Sequence, residues 1–291
     1  MKILICGGRG QLGHDCTRVM KEWHEVLSTD LEELDITNPS AVEEMIGRML
    51  PQVVVNCAAY TQVDACETER GLARKVNVDG PRNLALSTER HGGQVVHIST
   101  DYVFDGKRVA PEPYVEEDTP HPVSFYGKTK FDGELAVRDT AKGHIIVRTA
   151  WLYGHHGPNF LKTMLRLALR SPHKEVKVVH DQFGSPTWSY RLALQIARLI
   201  ETNGRGTYHA TSEGHCTWYE LATCFLEKMG ISHHLVPCTS AEYPTPASRP
   251  KNSILENGHL KEEGLSLMID WKEDLDKFVS LHREDLLREV A

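Results

Sequence analysis

Tyr126 and Lys130 form a Y-x-x-x-K pair within the segment YGKTK. On a helix, residues four apart lie on the same face, so the pattern predicts that the lysine ammonium lies beside the phenol. A free phenol has a pKa of about 10, and a neighbouring cation lowers that pKa toward neutrality. Such a tyrosine can exchange a proton with a substrate, which is general acid–base chemistry. The pair also arises by chance on many helices, so it needs support from elsewhere in the chain.

That support comes from hydroxyl and carboxyl groups that follow a strand-like run. The segment HISTDY places Thr100 and Asp101 directly after the apolar run at residues 94–99. In open α/β sheets, ligands bind at the carboxyl ends of the strands. We therefore predict that Thr100 donates a hydrogen bond to a substrate carbonyl and holds it beside Tyr126. The predicted catalytic residues are Thr100, Tyr126 and Lys130.

A glycine-rich segment near the start of the chain predicts phosphate binding. Residues 7–13, GGRGQLG, read G-x-x-G-x-x-G between a short apolar run and a helical pattern. Small residues permit a tight turn and let a pyrophosphate approach the positive end of a helix. An ordinary strand-to-helix turn has similar residues, but the position at the start of a strand–helix–strand unit favours a dinucleotide site. The residues predicted to bind the dinucleotide here are Gly7, Gly10, Gln11, Leu12 and Gly13.

An acidic residue about 20 positions further along supports the dinucleotide site. Asp30 ends the second strand-like run, where its carboxylate can accept hydrogen bonds from the adenosine ribose. The same carboxylate would repel a 2′-phosphate, and the Leu-Glu-Glu that follows offers no cation. The sequence therefore favours NADH, although NADH and NADPH both stay open as cofactors. Asp35 in the segment LDITN and its neighbour Ile36 are predicted to lie near the adenine.

The elements that must position these residues alternate between strands and helices from the first residue onward. Apolar runs at 2–6, 25–28, 52–59, 94–99 and 144–150 are separated by segments with helical spacing. Runs that are apolar throughout are typical of strands buried on both faces, and with helices between them they indicate a parallel sheet. The predicted fold class is α/β, a doubly wound parallel (Rossmann) sheet with a smaller interleaved C-terminal substrate domain.

The second half of the chain is less regular. Residues 237–250 carry four prolines and predict an extended loop, which at this length is usually functional or disordered. The helical segment 190–201 is predicted to pack back on the sheet. The predicted domains are a dinucleotide-binding domain, 1–150 plus about 187–204, and a substrate-binding domain, 151–186 and 205–291.

Composition excludes several classes of function. The 291 residues carry 33 basic and 40 acidic side chains, a net charge of −7 that lacks the footprint of a nucleic-acid-binding protein. No apolar run approaches the roughly 20 residues of a membrane span, and the N-terminus lacks the apolar core of about 7–15 residues of a signal peptide. The seven cysteines include no C-x-x-C, and the 16 histidines show no metal-ligand spacing. We expect a cytoplasmic protein that binds neither nucleic acid nor a membrane.

Together these motifs resemble the extended short-chain dehydrogenase/reductase superfamily. The segments VVNCAAYTQVD, STDYVFDG, YGKTK, RTAWLYG, DQFGSPT and RPKNS are similar to those of its dTDP-4-dehydrorhamnose reductases, and the resemblance runs from residue 1 to about Trp271. It implies NAD(P)H-dependent reduction of the 4-keto group of dTDP-6-deoxy-L-lyxo-4-hexulose to dTDP-L-rhamnose. It further implies that Tyr126 donates the proton, that Lys130 holds the nicotinamide ribose and tunes the phenol, and that Thr100 polarises the carbonyl.

The resemblance also implies further contacts. Cofactor contacts are implied for residues that lie at the ends of two strand-like runs, namely Ala59, Tyr60, Thr61 and Ile98. Contacts with the nucleotide sugar are implied for Asp101 and Trp151, although Trp151 is equally well read as a core aromatic. Arg249, in the proline-rich loop, is predicted from its chemistry to pair with a diphosphate, with a plain surface arginine as the alternative.

One departure from the resemblance concerns metal ions and assembly. Some members dimerise around Mg²⁺ held by carboxylates, and Asp15 is one candidate ligand here. Tyr190 and Leu281, however, stand where acids are expected. Because Mg²⁺ requires oxygen ligands, we predict no such metal site. The chain is expected to be a monomer or a homodimer, with a dTDP-sugar as its small-molecule partner.

Two rival functions stay open at this stage. A nucleotide-sugar dehydratase of this superfamily carries S-T-D-E, whereas Asp101 is followed by Tyr102, so the acid pair for elimination is absent; an epimerase is a related option. The other rival is a non-catalytic binding protein similar to the regulatory subunit of methionine adenosyltransferase. Because that subunit can keep the tyrosine and the lysine, their presence does not decide between the two functions.

Overall fold

The computed structural model describes residues 1–290, whose centre is a parallel β-sheet flanked by helices. The strands run, in chain order, as β1 (Lys2–Cys6), β2 (Glu25–Thr29), β3 (Val53–Asn56), β4 (Gln94–Thr100), β5 (His144–Thr149), β6 (Leu152–Tyr153), β7 (Val176–Val179), β8 (Phe183–Gly184), β9 (Thr187–Trp188), β10 (Gly206–His209), β11 (Cys216–Thr217) and β12 (Leu235–Cys238). The helices are α1 (Gln11–Met20), α2 (Pro39–Met49), α3 (Arg70–Arg74), α4 (Gly80–Arg90), α5 (Phe125–Arg138), α6 (Phe160–Arg170), α7 (Ser189–Glu201), α8 (Trp218–Met229), α9 (Gly258–Glu262) and α10 (Trp271–Val290). A π-helical turn, Lys75–Asp79, joins α3 to α4.

The main sheet has six strands in the order β10-β5-β4-β3-β1-β2. Each neighbouring pair is parallel. The chain moves outward from β1 to β2 and then returns to β3 on the other side of β1. This reversal leaves a crevice at the carboxyl ends of β1 and β3, where ligands bind in sheets of this kind. The predicted doubly wound α/β fold is confirmed.

Alternate residues of β1 face two different helical layers. Ile3 and Ile5 share a core with residues of α1 and α7, whereas Leu4 and Cys6 share a core with residues of α2 and α4. These four side chains are buried, whereas Lys2 at the start of β1 is exposed. A fully buried aliphatic side chain stabilises the fold by about 1.5–3 kcal/mol relative to an exposed one. Burial on both faces therefore explains why this strand is apolar at successive positions rather than at every second one.

The segment after β5 leaves the sheet and returns to it. Leu192 and Ile196 of α7 belong to the same core as β1, β3 and β5, so this helix packs back against the sheet. Gly206–His209 forms the sixth strand of the sheet, beside β5. The predicted boundary at 204 had assigned these residues to the second domain. Its short, mixed sequence lies at the sheet edge and gives little apolar signal. The other domain boundaries stay a prediction.

The remaining helices build a second hydrophobic core. Leu165 of α6, Phe225 of α8 and Phe278 of α10 are buried together. Residues 239–250 contain no helix or strand, in line with the prolines of this segment. Among the described helices, none combines the length and the apolar character that a membrane crossing requires.

Gly13 offers a test of how tightly α1 lies against the loop after β1. A Cβ at Gly13 would lie 2.0 Å from the Gly7 carbonyl oxygen and 2.8 Å from the Gly8 Cα, both of them backbone atoms. We expect Gly13→Ala to lower the free energy of unfolding by about 1–3 kcal/mol, because backbone must shift to relieve the clash. Urea unfolding measures this effect.

Gly71→Ala is the matched control. A Cβ at Gly71, on the exposed part of α3, meets no atom within 4 Å. In a helix this change is expected to be neutral or to stabilise by up to about 1 kcal/mol. Equal unfolding free energies for the two variants would contradict the close packing at Gly13.

Candidate functional site

A cleft of about 500 Å³ opens at the carboxyl ends of the sheet strands. Its walls come from the glycine segment, from the ends of β3 and β4, from α5 and from the loop after β5. The predicted site residues that line it are Gly10, Gln11, Leu12, Gly13, Ala59, Thr61, Ile98, Thr100, Asp101, Tyr126, Lys130 and Trp151. The fold thus brings most of the predicted residues into one cavity, although they come from distant parts of the chain.

Other predicted residues lie outside the lining of this cleft. They are Gly7, Asp30, Asp35, Ile36, Tyr60 and Arg249. The Tyr60 hydroxyl donates to Glu69 at 2.5 Å, and the Asp35 carboxylate accepts the Thr37 N–H at 2.9 Å. The Ile36 side chain is buried in the core between the sheet and α2. Roles for these residues in ligand binding stay predictions.

The glycine segment leaves the start of α1 open toward the cleft. Gly7 has a φ of +79°, a left-handed conformation that favours glycine, and a Cβ there would lie 2.7 Å from the Ala58 nitrogen. Gly10 is the N-cap of α1 and provides no side-chain cap. The first N–H groups of a helix have no acceptor within the helix and carry the positive end of its dipole. This end of α1 can therefore receive an anionic group such as a diphosphate.

Asp30, directly after β2, makes a hydrogen bond to the backbone of the glycine segment. Its carboxylate accepts the Arg9 N–H at 3.0 Å and the Leu31 N–H at 2.8 Å. The Arg9 guanidinium, whose charge interacts with that of Asp30, pairs with Glu32 at 2.8 Å and Glu33 at 2.5 Å. The surroundings of Asp30 therefore hold two further carboxylates and one cation, and the preference for NADH stays a prediction.

Helix α5 holds the predicted catalytic pair on one face. The Ser124 hydroxyl caps α5 by accepting the Gly127 N–H at 3.1 Å. Gly127 lies against the turn that follows β4, because a Cβ there would lie 2.1 Å from the Tyr102 carbonyl oxygen. This close approach carries Tyr126 and Lys130, one helical turn apart, into the cleft at the end of β4. Both side chains are buried.

The structure corrects the predicted tuning of the phenol, because the pKa of Tyr126 is raised rather than lowered. Burial is the main cause, the charge of Asp101 adds to it, and interaction with the Thr100 hydroxyl opposes it. The Lys130 ammonium instead donates to the Ile98 carbonyl oxygen at 2.7 Å. The loss of solvation around the phenol therefore outweighs attraction to a cation. The phenol is therefore protonated at neutral pH, the form that can donate a proton, although the raised pKa makes it a weaker acid.

Lys130 is itself changed by burial, which lowers its pKa to about 8, while the charge of Glu134 opposes that shift. Glu134 lies one turn further along α5 and is buried in an ion pair with Arg148, with N–O distances of 2.8 and 3.0 Å. The Ser99 hydroxyl donates to the same carboxylate. These supporting residues were not predicted, although the i, i+4 spacing of Tyr126, Lys130 and Glu134 is a signal that could have revealed the glutamate.

Asp101 presents a carboxylate with one unused oxygen. Its Oδ1 accepts the Thr100 hydroxyl at 2.9 Å, whereas its Oδ2 is buried without a hydrogen-bond partner. Burial raises the pKa of Asp101 to about 6. A buried polar atom without a partner carries a free-energy penalty, and such atoms often await a ligand. Asp101 can therefore accept a hydrogen bond from a hydroxyl group that enters the cleft.

Two stacked tryptophans form one wall of the cleft. Trp151 has a φ of +46°, a left-handed conformation that strains a residue with a large side chain by about 1–3 kcal/mol. Its ring stacks on that of Trp218, with centroids 3.5 Å apart and an interplanar angle of 6°. A Cβ at Gly184 would lie 2.4 Å from the Trp151 indole, so this ring also packs closely against Gly184. No sequence motif pointed to Trp218, which reaches the cleft because α8 begins there.

Arg249 lies apart from the main cleft and already has a partner. Its guanidinium makes a bidentate pair with Asp64, with N–O distances of 3.0 and 2.9 Å, and this pairing lowers the pKa of Asp64. The pair joins the proline-rich loop to the segment after β3. Arg249 also lines a second cavity of about 600 Å³, which shares Trp218 with the main cleft and contains Lys251. The predicted pairing of Arg249 with a diphosphate would require an exchange of partners, and it stays a prediction.

Asp15 is enclosed between α1 and α7. It is buried and accepts the Ser189 hydroxyl at 2.5 Å. The Arg18 guanidinium lies over the neighbouring Tyr190 ring, 4.8 Å from its centroid. A cation, rather than the second carboxylate of a metal site, therefore lies near Asp15. The expected lack of a carboxylate Mg²⁺ site here stays a prediction.

Comparison with known proteins gives consistent results over nearly the whole chain. Residues 1–283 match the family described as RmlD substrate binding domain. The dTDP-4-dehydrorhamnose reductase of Burkholderia thailandensis is 39% identical over 290 residues, which cover 94% of this chain and 96% of that protein. The crystal structure of a dTDP-4-dehydrorhamnose reductase from Clostridium acetobutylicum is 45% identical, with a TM-score of 0.93 and coverage of 97% and 99% of the two chains. A Bacillus anthracis reductase of the same name, solved in complex with NADP, is 40% identical, with a TM-score of 0.92 and coverage of 95% and 98%.

The acidic surroundings of Asp30 lead to a prediction about cofactor choice. Asp30→Ala should raise the affinity for NADPH relative to NADH by about tenfold, equivalent to about 1.4 kcal/mol, because repulsion of the 2′-phosphate is removed. Calorimetric titration with each dinucleotide measures the ratio. Asp139→Ala is the control, since this exposed aspartate follows the far end of α5. An unchanged ratio in Asp30→Ala would show that Asp30 does not set the preference.

Burial of Asp101 leads to a prediction about pH. Its pKa is about 6 when folded, against about 3.9 for an unperturbed aspartate, so its contribution to stability is complete below pH about 4 and is lost as pH rises through about 6. Asp101→Asn does not titrate. From pH 4 to pH 8 the variant should therefore gain up to about 2–3 kcal/mol in unfolding free energy relative to the wild type. Urea unfolding at both pH values tests this, and a pH-independent difference would contradict it.

Proposed function

The chain belongs to the RmlD substrate binding domain family, and from this premise we propose that it is an NAD(P)H-dependent reductase. Its proposed substrate is a dTDP-linked 4-keto-6-deoxy sugar, dTDP-6-deoxy-L-lyxo-4-hexulose, and its product is dTDP-L-rhamnose. One observation carries the proposal. Thr100, Tyr126 and Lys130 line the same cleft as the open start of α1. The names of the relatives described above support the choice of substrate.

The residues of the cleft fit a reduced dinucleotide. Glycines at the start of α1 leave room that a Cβ would fill, and uncapped N–H groups suit a diphosphate. Ala59, Thr61 and Ile98 offer contacts along the ends of β3 and β4. When bound, NADH or NADPH supplies the hydride that the C4 carbonyl carbon receives. The protein must then hold the sugar and deliver a proton to the C4 oxygen.

Tyr126 is the proposed proton donor. As the carbonyl carbon accepts the hydride, negative charge develops on the oxygen, and the phenol proton moves to that oxygen to form the hydroxyl group. Burial keeps the phenol protonated beforehand, because it raises the pKa of Tyr126. The Thr100 hydroxyl lies at the same end of β4, and it can hold the carbonyl oxygen when it turns its proton away from Asp101. The tyrosinate that remains must regain a proton before the next turnover.

Lys130 is proposed to bind the cofactor ribose and to stabilise charge near the phenol. An ammonium group has three N–H donors, and the hydrogen bond to the Ile98 carbonyl uses one of them. The buried Glu134–Arg148 pair lies one turn away and limits the freedom of α5. In this role, Lys130 acts by position and charge rather than by a large shift of the phenol pKa toward neutrality.

The second cavity is proposed to receive the nucleotide portion of the substrate. It is lined by Lys177, Lys251 and Arg249, whose charges suit a diphosphate, and by Trp218, whose ring it shares with the cleft. The Trp151–Trp218 stack then lies between the reacting sugar and the nucleotide. The unused Oδ2 of Asp101 is a suitable acceptor for a sugar hydroxyl.

The rival functions differ from a reductase in their products. A dehydratase would need a second acid after Asp101, and that position is Tyr102. An epimerase would consume no net reduced cofactor, and a non-catalytic binding protein would oxidise none. Net oxidation of NADH or NADPH that depends on the sugar therefore separates the proposed function from all three alternatives.

The decisive assay mixes the purified chain with NADH or NADPH and a dTDP-4-keto sugar made by a dehydratase and an epimerase. Loss of reduced nicotinamide absorbance and formation of the dTDP-6-deoxy sugar are followed together. Tyr126→Phe should lower kcat by roughly 10²–10⁴, the usual contribution of a positioned general acid. It should leave the affinity for the cofactor nearly unchanged, because only a hydroxyl group is lost.

Three further variants rank the roles of the neighbouring groups. Tyr102→Phe is the matched control for Tyr126→Phe, because this second tyrosine also lines the cleft. The centroids of the Tyr102 and Tyr126 rings are 5.6 Å apart. Thr100→Val should raise the free-energy barrier to reduction by about 0.5–1.5 kcal/mol, the net contribution of one neutral hydrogen bond. Lys130→Met should weaken cofactor binding as well as lower kcat. Near wild-type kcat in Tyr126→Phe would overturn its role, and no oxidation of either cofactor by the wild type would overturn the reductase.

A further inference from the structure

Four histidines from three parts of the chain lie together at the loop after β6. His14 lies on α1, His155 and His156 lie in the loop after β6, and His282 lies on α10. The His14 and His156 rings have centroids 3.4 Å apart, and the His155 and His282 rings are stacked at 4.6 Å. None of these side chains takes part in the proposed reduction.

Two of these imidazoles and a carboxylate have the arrangement of a metal site. Ligand atoms of His155, His282 and Asp285 all lie within 4.8 Å of one another. His282 and Asp285 are three residues apart on α10 and so share a face of the helix, while His155 approaches from the loop. Tetrahedral zinc ligands lie about 3.3–3.5 Å apart, as bond lengths of about 2.0–2.1 Å require. Side-chain rotations that bring the ligand atoms closer and turn the two stacked imidazoles toward one point would therefore close the site around an ion.

The three side chains are available as ligands. His155 has a buried Nδ1 without a hydrogen-bond partner. The His282 ring is partly buried and stacks on that of His155, with centroids 4.6 Å apart, so both imidazoles lie at the same place. Asp285 pairs only with Arg288 at 2.5 Å among the described contacts, and both side chains are about half exposed or more. An exposed ion pair of this kind contributes little to stability, so a metal cation can readily replace Arg288 as the partner of Asp285.

The charges around the cluster are balanced. Besides Arg288, which pairs with Asp285, the cations whose charges act on His282 are Arg18 and Lys162. Lys162 is neutralised by Glu289, with N–O distances of 2.6 and 2.8 Å. Arg18 lies close to the buried Asp15. A divalent ion at this place would therefore meet no large excess of positive charge.

We propose that His155, His282 and Asp285 bind a divalent transition metal ion of the zinc class. Imidazole nitrogens with one carboxylate suit zinc, cobalt or nickel, whereas Mg²⁺ prefers oxygen ligands throughout. With three protein ligands, a tetrahedral ion keeps one position open for water. The site thus differs in ligands and in metal from the carboxylate Mg²⁺ site that the sequence argued against.

Such an ion would fasten α10 to a loop that also borders the cleft. Gly157 and Pro158 of this loop line the cleft. Gln11, in the glycine segment, donates to the Pro158 carbonyl at 3.3 Å and accepts from the Asn159 amide at 3.1 Å. Metal binding at His155 would restrict this loop and, through it, one wall of the cleft. The metal site does not depend on the proposed reductase function, because its test is binding.

The experiment uses the full chain without a histidine tag, freed of metal by a chelator and dialysed. Calorimetric titration with Zn²⁺ should detect one tight site, Co²⁺ should give the visible absorption of a tetrahedral complex, and Zn²⁺ should raise the Tm by linkage. Asp285→Asn, an exposed isosteric change, and His282→Ala should each weaken Zn²⁺ binding at least about tenfold and abolish the rise in Tm. Circular dichroism of the metal-free variants reports whether they fold.

His173→Ala is the matched control, because this exposed histidine lies between α6 and β7, outside the cluster. It should bind Zn²⁺ as the wild type does. The proposal is overturned if the wild type binds no Zn²⁺ at millimolar concentration. It is equally overturned if Asp285→Asn and His282→Ala bind Zn²⁺ with wild-type affinity, or if His173→Ala loses binding.

Discussion

The contact between α1 and the loop after β1 is the constraint on which the cleft depends. Backbone atoms of Gly7 and Gly8 occupy the space that a side chain at Gly13 would need. Because that space is closed, α1 begins directly at the carboxyl end of β1, and its uncapped N–H groups face the cavity. The same placement sets the position of Gln11, which carries the contact onward to the loop after β6.

Burial controls the electrostatics of the site more than attraction between charged pairs does. It raises the pKa of Tyr126 and of Asp101, and it lowers the pKa of Lys130 to about 8. All three shifts favour the neutral form of the group, which is the effect of removing water. A protonated phenol beside a lysine of reduced pKa suits delivery of a proton to a developing alkoxide, since the donor is loaded before reduction begins.

Much of the fold and of the cleft could be predicted from local patterns. The apolar runs of β1 and β3 indicated strands buried on both faces, and the sheet order confirms a doubly wound fold. Thr100, Tyr126 and Lys130 share the cleft because strand ends and helix spacing place them there. The prediction failed for the sign of the phenol pKa, since a cation four residues away is visible in the sequence and the loss of solvent is not.

The sequence by itself determined the class of sheet, the glycine turn and the spacing of the catalytic pair, because each depends on residues that are near neighbours in the chain. Only the tertiary structure decided the Trp151–Trp218 stack, the pairing of Arg249 with Asp64, and the meeting of His155 with His282. These partners lie far apart in the sequence, and no local period links them. Their contacts follow from the packing of α8, α10 and the proline-rich loop, which is set by burial of whole surfaces rather than by the spacing of single residues.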